Sequence, residues 1–427
     1  MITRQLVDGT CVTEHWITVP LDWSVPNGEK IQVFAREFVS AETLAKGQVH
    51  LDALPYLLFL QGGPGGKGNR PAKLSGWMAE LAQDFRIIML DQRGTGLSTR
   101  LDRNSLSVRG SAEEQTKYLR CFRADSIVRD AEALRTQLGI RSWTIFGQSF
   151  GGFCALTYLS FFPHHLDRAL ITGGLAPLTG HADQVYRQTY RRMAARNVEY
   201  FDRFPEDRER LDAVFDHVRT QIVRLLDGSP LTAARVQMLG MELGANTKAD
   251  SLHYLLEEAF AGGTLSDTFL AELGQRISFA SNPMYAVMHE SIYGLPGEPP
   301  TNWSAERILA EFPEFSEQAA SPLLTGEMIF RSHIRLDPVL APLTGTANAV
   351  AAVEDWSPLY DLDQLARNEV PAAACVYTDD VFVDRTLSLQ TAQRVANLSV
   401  YETNDFHHDG IHDDGAAILR ELLRRTE

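Results

Sequence analysis

The stretch Trp143-Thr-Ile-Phe-Gly-Gln-Ser-Phe-Gly-Gly152 restricts the possible folds more than any other part of the chain. Four residues of strand-forming character lead into Gly-x-Ser-x-Gly, and a helical pattern carrying Phe153, Leu156 and Leu159 follows. This is the pattern of a nucleophile elbow, a serine held on a sharp turn between strand and helix. Gly147 and Gly151 flank Ser149 because such a turn brings backbone segments too close for a Cβ. The hydroxyl of Ser149 is then expected at the C-terminal end of its strand, above a helix N-terminus.

A strand of this kind needs parallel neighbours, and the sequence supplies them. Pro55-Tyr-Leu-Leu-Phe-Leu60, Phe85-Arg-Ile-Ile-Met-Leu90, Ala169-Leu-Ile-Thr172 and Val370-Pro-Ala-Ala-Ala-Cys-Val-Tyr377 are near-continuous apolar runs, as in strands buried on both faces. A further strand is predicted near Leu398 to Thr403. Helical patterns separate them, over Glu113 to Leu138, around Thr386 to Ala396, and from Asp414 to Arg424. Trp16-Ile-Thr-Val19 and Lys30-Ile-Gln-Val-Phe-Ala35, joined by Asp22-Trp-Ser-Val-Pro-Asn-Gly28, predict an antiparallel pair at one sheet edge. The expected architecture is a mostly parallel sheet covered by helices, with its chemistry at the C-terminal strand ends. Leu175 to Leu343 lacks buried strand runs and is helical in texture. We therefore expect a core of residues 1–175 and 344–427 with a helical cap, 176–343, inserted over the site.

Ser149 needs a base to take its proton and a carboxylate to orient that base. In a sheet of this topology the chain order is serine, acid, histidine. Asp379 and Asp380 follow one predicted strand, with Asp384 more distant, and His407 and His408 follow the next. The oxyanion formed in acyl transfer needs fixed donors. Expected donors are the backbone N–H of Phe150 and one from Gln61-Gly-Gly-Pro-Gly-Gly66, with Gly63 ahead of Gly62. The latter loop lacks the Lys-Ser/Thr ending of a phosphate loop, and Pro64 removes a donor.

The formal charge of −15 argues against nucleic acid and anionic membrane as partners. No apolar run approaches the roughly 18 residues of a membrane span, and the N-terminus carries no signal-like core, so a cytoplasmic location is expected. Cys11, Cys121, Cys154 and Cys375 show no metal or disulfide spacing, and neither a metal nor a cofactor is expected.

Taken together, Gln61-Gly-Gly-Pro-Gly65, Asp91-Gln-Arg-Gly-Thr-Gly-Leu-Ser98 and Gly147-Gln-Ser-Phe-Gly-Gly152 resemble the prolyl aminopeptidase (proline iminopeptidase) family of α/β-hydrolases. The resemblance continues through Asn282-Pro-Met-Tyr-Ala-Val-Met-His-Glu-Ser-Ile-Tyr293, Thr325-Gly-Glu-Met-Ile329, Val370-Pro through Asp384, and His408-Asp-Gly-Ile411. It implies an α/β-hydrolase fold, release of an N-terminal proline through an acyl-enzyme on Ser149, Asp380 as acid and His408 as base. It also implies that Glu290 and Glu327 bind the substrate's free amino group, so that the partner is a peptide with a free N-terminus. Gln61 is shared with the longer-chain branch. His407 and Asp409 replace an acidic residue and an amide of the family pattern, and Phe330-Arg-Ser-His333 replaces an aromatic continuation. An esterase with the same three residues, or a non-catalytic binding protein on this scaffold, are the competing readings.

Overall fold

A computed structural model describes residues 2–427. Nine strands form one sheet in the order β1-β2-β3-β5-β4-β6-β7-β10-β11. They are β1 (Ile2–Gln5), β2 (Cys11–Pro20), β3 (Lys30–Val39), β4 (Tyr56–Leu60), β5 (Arg86–Asp91), β6 (Trp143–Gln148), β7 (Leu166–Thr172), β10 (Ala372–Tyr377) and β11 (Leu398–Thr403). From β5 to β11 every neighbouring pair is parallel, whereas β1, β2 and β3 are antiparallel to their neighbours. The expected edge pair is thus β2–β3, paired from Cys11↔Val39 to Pro20↔Lys30.

The apolar runs are continuous because both faces of the sheet are covered. Leu57, Phe59, Ile87, Met89 and Phe146 point into one core with Trp77 and Met78 of helix Gly76–Leu81 and with Ile418, Leu419 and Leu422 of the C-terminal helix. Their sequence neighbours Leu58, Leu60, Ile88, Leu90 and Ile145 point into the other core. That core also holds Ile127, Leu134, Phe153 and Leu156 of helices Ala124–Gln137 and Phe150–Phe161. This is period-two alternation with an apolar partner on each side.

Chain order and spatial order disagree at the centre of the sheet. After β4 the chain goes outward to β5, then returns to place β6 on the other flank of β4. At such a reversal the loops beyond the carboxyl ends diverge and leave a crevice. Leu60 at the end of β4 is in register with Gly147 near the end of β6. The loop 61–66 and Ser149 are therefore side by side.

Between Thr172 and Ala372 no described residue joins this sheet. That stretch is helical, from Ala182–Arg203 and Glu206–Thr220 to Asn246–Glu257, Asp267–Ile277 and shorter turns. It also contains the two-residue hairpin of β8 (Phe260–Ala261) and β9 (Thr264–Leu265).

Three expectations need correction. The helix over Glu113–Leu138 is two helices, Ala112–Leu119 and Ala124–Gln137, with a 3-10 turn at Arg120–Phe122. Arg123 between them is extended (φ −91°, ψ 176°) because its buried guanidinium reaches the carbonyls of Ser291, Gly294 and Ser357. The last helix begins at Gly410 rather than Asp414, which breaks it with a non-helical φ of −151°. The helix near Thr386–Ala396 runs over Arg385–Ala392, begun by the side chain of Asp384.

Candidate active site

Ser149 stands in the turn between β6 and helix Phe150–Phe161 with φ 55° and ψ −123°. Non-glycine residues avoid this conformation, so the surroundings must hold it. A Cβ at Gly147 would lie 2.2 Å from the Gly151 carbonyl oxygen, and one at Gly151 would lie 1.8 Å from that of Leu60. The Ser149 N–H is bound to the Thr172 carbonyl at 2.9 Å. Glycine spacing in the sequence thus becomes tight backbone contact, and that contact sustains the strained serine.

His408 Nε2 lies 3.0 Å from Ser149 Oγ, and its Nδ1 lies 3.0 Å from both carboxylate oxygens of Asp380. A carboxylate can only accept, so Nδ1 carries the proton and Nε2 offers its lone pair to the serine. Asp380 is fixed in turn by the N–H groups of Phe382 and Val383, each 2.9 Å from Oδ1. All three side chains are buried. Burial alone would lower the His408 pKa. The charge and hydrogen bond of Asp380, with the charges of Glu327 and Asp409, outweigh it and hold the imidazole above its usual 6.5.

The alternatives are placed elsewhere. Asp379 is half-exposed and lies 3.8 Å from Arg192, while Asp384 caps its helix and pairs with Arg192 at 3.1 Å. His407 faces the Asp379 carbonyl and Glu199.

On the other flank of Ser149, a Cβ at Gly62 would lie 3.2 Å from the serine Cβ, so this loop touches the nucleophile. Gly63 follows with φ 134°, open only to glycine. The N–H groups of Gly63 and Phe150 have no acceptor among the described residues, whereas that of Gly62 is 3.3 Å from Gln61 Oε1. Phe150 opens a twelve-residue helix whose N-terminal dipole favours negative charge at this point.

The two glutamates differ in setting. Glu327 lies in an irregular, half-buried segment; its Oε1 accepts from the Tyr285 hydroxyl at 2.7 Å, and its charge reaches His408. Glu290 is buried, and its two oxygens accept from the backbone N–H groups of Ser304 (3.0 Å) and Ala305 (2.9 Å). Burial raises its pKa against the pull of these bonds. Tyr186 lies within the electrostatic reach of both, and its buried hydroxyl has no partner among the described residues. Rings of Tyr186, Tyr293 and Phe153 form a chain of contacts at 6.3 and 5.8 Å.

Several residues that the sequence did not single out hold the histidine loop. The Gly244 carbonyl accepts from the N–H groups of His408 (2.8 Å) and Asp409 (3.0 Å). Lys248 Nζ is 3.1 Å from Asp409 Oδ2, and Thr247 and Asn246 bond to Asp413. The Phe382 ring packs edge-on against the His408 ring with centroids 5.0 Å apart. Their sequence separations exceed 150 residues in the case of Lys248, and no local pattern announces such a contact.

No helix among the described residues is long and apolar enough to cross a membrane. Residues 55–255 match the alpha/beta hydrolase fold family. The chain is 42% identical over 422 residues to a proline iminopeptidase of Aeromonas sobria, covering 98% of this chain and 97% of that one. It is 32% identical over 433 residues to the proline iminopeptidase aneH of Aspergillus aculeatus, covering 98% and 94%. A thermophilic esterase from Thermogutta terrifontis overlays with a TM-score of 0.44 at 14% identity, covering 96% and 99%.

Proposed function

Because the chain belongs to the proline iminopeptidase family of α/β-hydrolases, we propose that Ser149, His408 and Asp380 release an N-terminal proline from peptides. Ser149 Oγ attacks the carbonyl carbon of the first residue as its proton passes to His408 Nε2. Asp380 stabilises the imidazolium so formed without itself taking the proton. The N–H groups of Gly63 and Phe150 receive the charge that develops on the carbonyl oxygen. When the tetrahedral intermediate collapses, His408 gives its proton to the departing amine and the shortened peptide leaves. Water, deprotonated by the same nitrogen, then attacks the acyl-enzyme and frees proline.

Recognition of the amino end is assigned to Glu327 and Glu290, carried on a helical cap over residues 176–343. Glu327 is suited to direct contact with the ring ammonium, since one of its oxygens is free of protein donors among the described residues. Glu290 keeps a lone pair on each oxygen beyond the two amide bonds, and the buried, unpartnered Tyr186 hydroxyl lies within the electrostatic reach of both carboxylates. An N-blocked substrate would leave these buried acceptors without a cation, which is costly.

The observation that carries this reading is the 3.0 Å contact of His408 Nε2 with Ser149 Oγ, with Glu327 near enough for its charge to act on that histidine. Release of p-nitroaniline from proline p-nitroanilide, lost on Ser149→Ala and on N-acetylation of the substrate, is the expected result. Equal turnover of the acetylated compound would remove the free-amine requirement, and turnover of short-chain esters in preference to the amide would replace the aminopeptidase with an esterase.

A further inference from the structure

Arg123 is 3% exposed and takes no part in the scheme above. Its guanidinium donates to three carbonyls, those of Ser357 (3.1 Å), Ser291 (3.0 Å) and Gly294. No carboxylate lies within ion-pair distance of it among the described residues. The charge of Asp125 offsets burial only in part, so the guanidinium is lowered to about 10 and stays charged at neutral pH. The face of the Trp356 ring, 4.4 Å from the guanidinium carbon, supplies further compensation. A buried cation without a paired anion is costly, and an apolar side chain of similar size would fill the same space without that cost. The arginine is therefore explained by what its hydrogen bonds hold.

They hold the turn that bears Glu290. Glu290–Tyr293 form a 3-10 turn, and the carbonyls at its C-terminal end lack helical donors. Arg123 Nη2 reaches the carbonyls of Ser291 and Gly294 together and closes that end. Trp356 presses on the same place, since a Cβ on Gly294 would lie 2.5 Å from its Cδ1. At the other end the Glu290 oxygens are held by the N–H groups of Ser304 and Ala305. The carboxylate is thus aimed by one segment and the backbone beneath it by Arg123.

Arg123 is as close to the support of the nucleophile. It immediately precedes helix Ala124–Gln137, which shares a core with the nucleophile helix Phe150–Phe161. Phe150, the neighbour of Ser149, lines one small void together with Arg123, Met288, Ser291 and Ile292. The ring of Phe153 on the same helix lies 5.8 Å from that of Tyr293. One side chain therefore joins the elements that carry Ser149 and Glu290, although Arg123 and Ser291 are 168 residues apart in the chain.

We propose that Arg123 is a positioning residue for recognition of the amino end, fixing the turn of Glu290 and Tyr293 against the nucleophile helix. The inference rests on the aminopeptidase reading, in which Glu290 helps to bind the substrate's ammonium. A displaced turn then weakens binding of the amine and leaves the chemistry of Ser149, His408 and Asp380 as it was. Lysine at this position keeps a charge but lacks the planar fork that serves three carbonyls at once.

The test uses the full chain with Arg123→Lys and, separately, Gly294→Ala. Proline p-nitroanilide is the substrate, L-prolinol the amine that cannot be hydrolysed, and a fluorophosphonate the probe of Ser149 that carries no amino group. Arg123→Lys is expected to raise KM and the inhibition constant of L-prolinol by about tenfold, the loss of one hydrogen bond to a charged group. Its kcat and its rate of fluorophosphonate labelling should match the wild type's, which a general loosening of the fold would not allow. Gly294→Ala retains the guanidinium but drives the carbonyl it holds away from Trp356, and its φ of −68° accepts alanine. It is expected to raise the same two constants, and it decides the matter if Arg123→Lys does not fold. Wild-type constants in either folded variant, or labelling that slows in step with turnover, overturn the assignment. Wild-type protein that is labelled yet leaves proline p-nitroanilide intact overturns instead the aminopeptidase reading.

Discussion

Consider alanine at Gly244, a residue that touches no substrate in the scheme above. Its added Cβ would lie 2.4 Å from Phe382 Cε2 and 2.8 Å from Cζ. The ring has little room to yield, because a Cβ at Gly326 would already be 2.8 Å from Cε1 and the His408 ring packs edge-on at 5.0 Å. The backbone at Gly244 lies outside the left-handed region, so alanine is conformationally acceptable and the effect is one of space. Overpacking of this kind costs about 1–3 kcal/mol. Relief by moving the backbone is no easier, since the Gly244 carbonyl holds the N–H groups of His408 and Asp409. Either response displaces the base, and a shift of about 1 Å in a reacting group can cost on the order of 10²-fold in rate. The expected result on proline p-nitroanilide is a kcat lower by about 10- to 100-fold with KM changed little, together with a lower melting temperature. Adding Phe382→Leu should restore part of the rate by removing the ring carbons that clash. A variant that melts earlier yet keeps full kcat would refute the idea that this packing sets the histidine.

Other outcomes follow from the same geometry. Wild-type kcat/KM should rise with pH through a value above 6.5, since the neutral imidazole is the active form and Asp380 holds its proton on; an acidic limb at or below 6.5 would contradict the pairing. Asp380→Asn should lower kcat by about 10⁴-fold and move that limb to lower pH. Glu327→Gln should reduce kcat/KM for free amines by about 10- to 100-fold with little effect on unfolding, whereas Glu290→Gln should weaken the fold by about 1–2 kcal/mol in urea titrations because the amide nitrogen cannot accept and either Ser304 or Ala305 loses its acceptor. Lys248→Met leaves the charge of Asp409 less balanced beside His408, so the acidic limb should shift to higher pH; an unchanged profile would make the ion pair merely structural.

What the sequence could disclose depended on whether the physical cause was local. The parallel strands were legible because burial on both faces writes a continuous apolar run, as in Leu57–Leu60 and Ile87–Leu90. Strand β1 was not: Ile2–Gln5 is short and exposed throughout, so it carries no burial pattern. Nor was the break at Arg123, where local composition favours helix and three distant carbonyls pull the side chain inward. Ser149, Asp380 and His408 could be proposed because each follows a strand whose end is predictable, although the residues alone left Asp379 and His407 open. Glu290 opens a 3-10 turn and Glu327 lies in an irregular segment, and only a family resemblance could single them out. Gly244, Lys248 and Tyr186 act through contacts between segments far apart in the chain, and nothing in their immediate neighbours marks them.

Polar ties fasten the helical stretch between β7 and β10 to the loops that carry Asp380 and His408. Around the base, Arg192 pairs with Asp384, Lys248 with Asp409, and Asn246 and Thr247 with Asp413. Each exposed pair contributes at most about 1 kcal/mol, but together with the two bonds to the Gly244 carbonyl they form a continuous seam along the loops that carry Asp380 and His408. Elsewhere the same stretch is tied by Asn282 Nδ2, which donates to the Pro64 carbonyl, and by the Arg123 guanidinium, which donates to the carbonyls of Ser291 and Gly294. A substrate route through the seam would have to separate the groups that orient the base, and would disable the enzyme each time it opened.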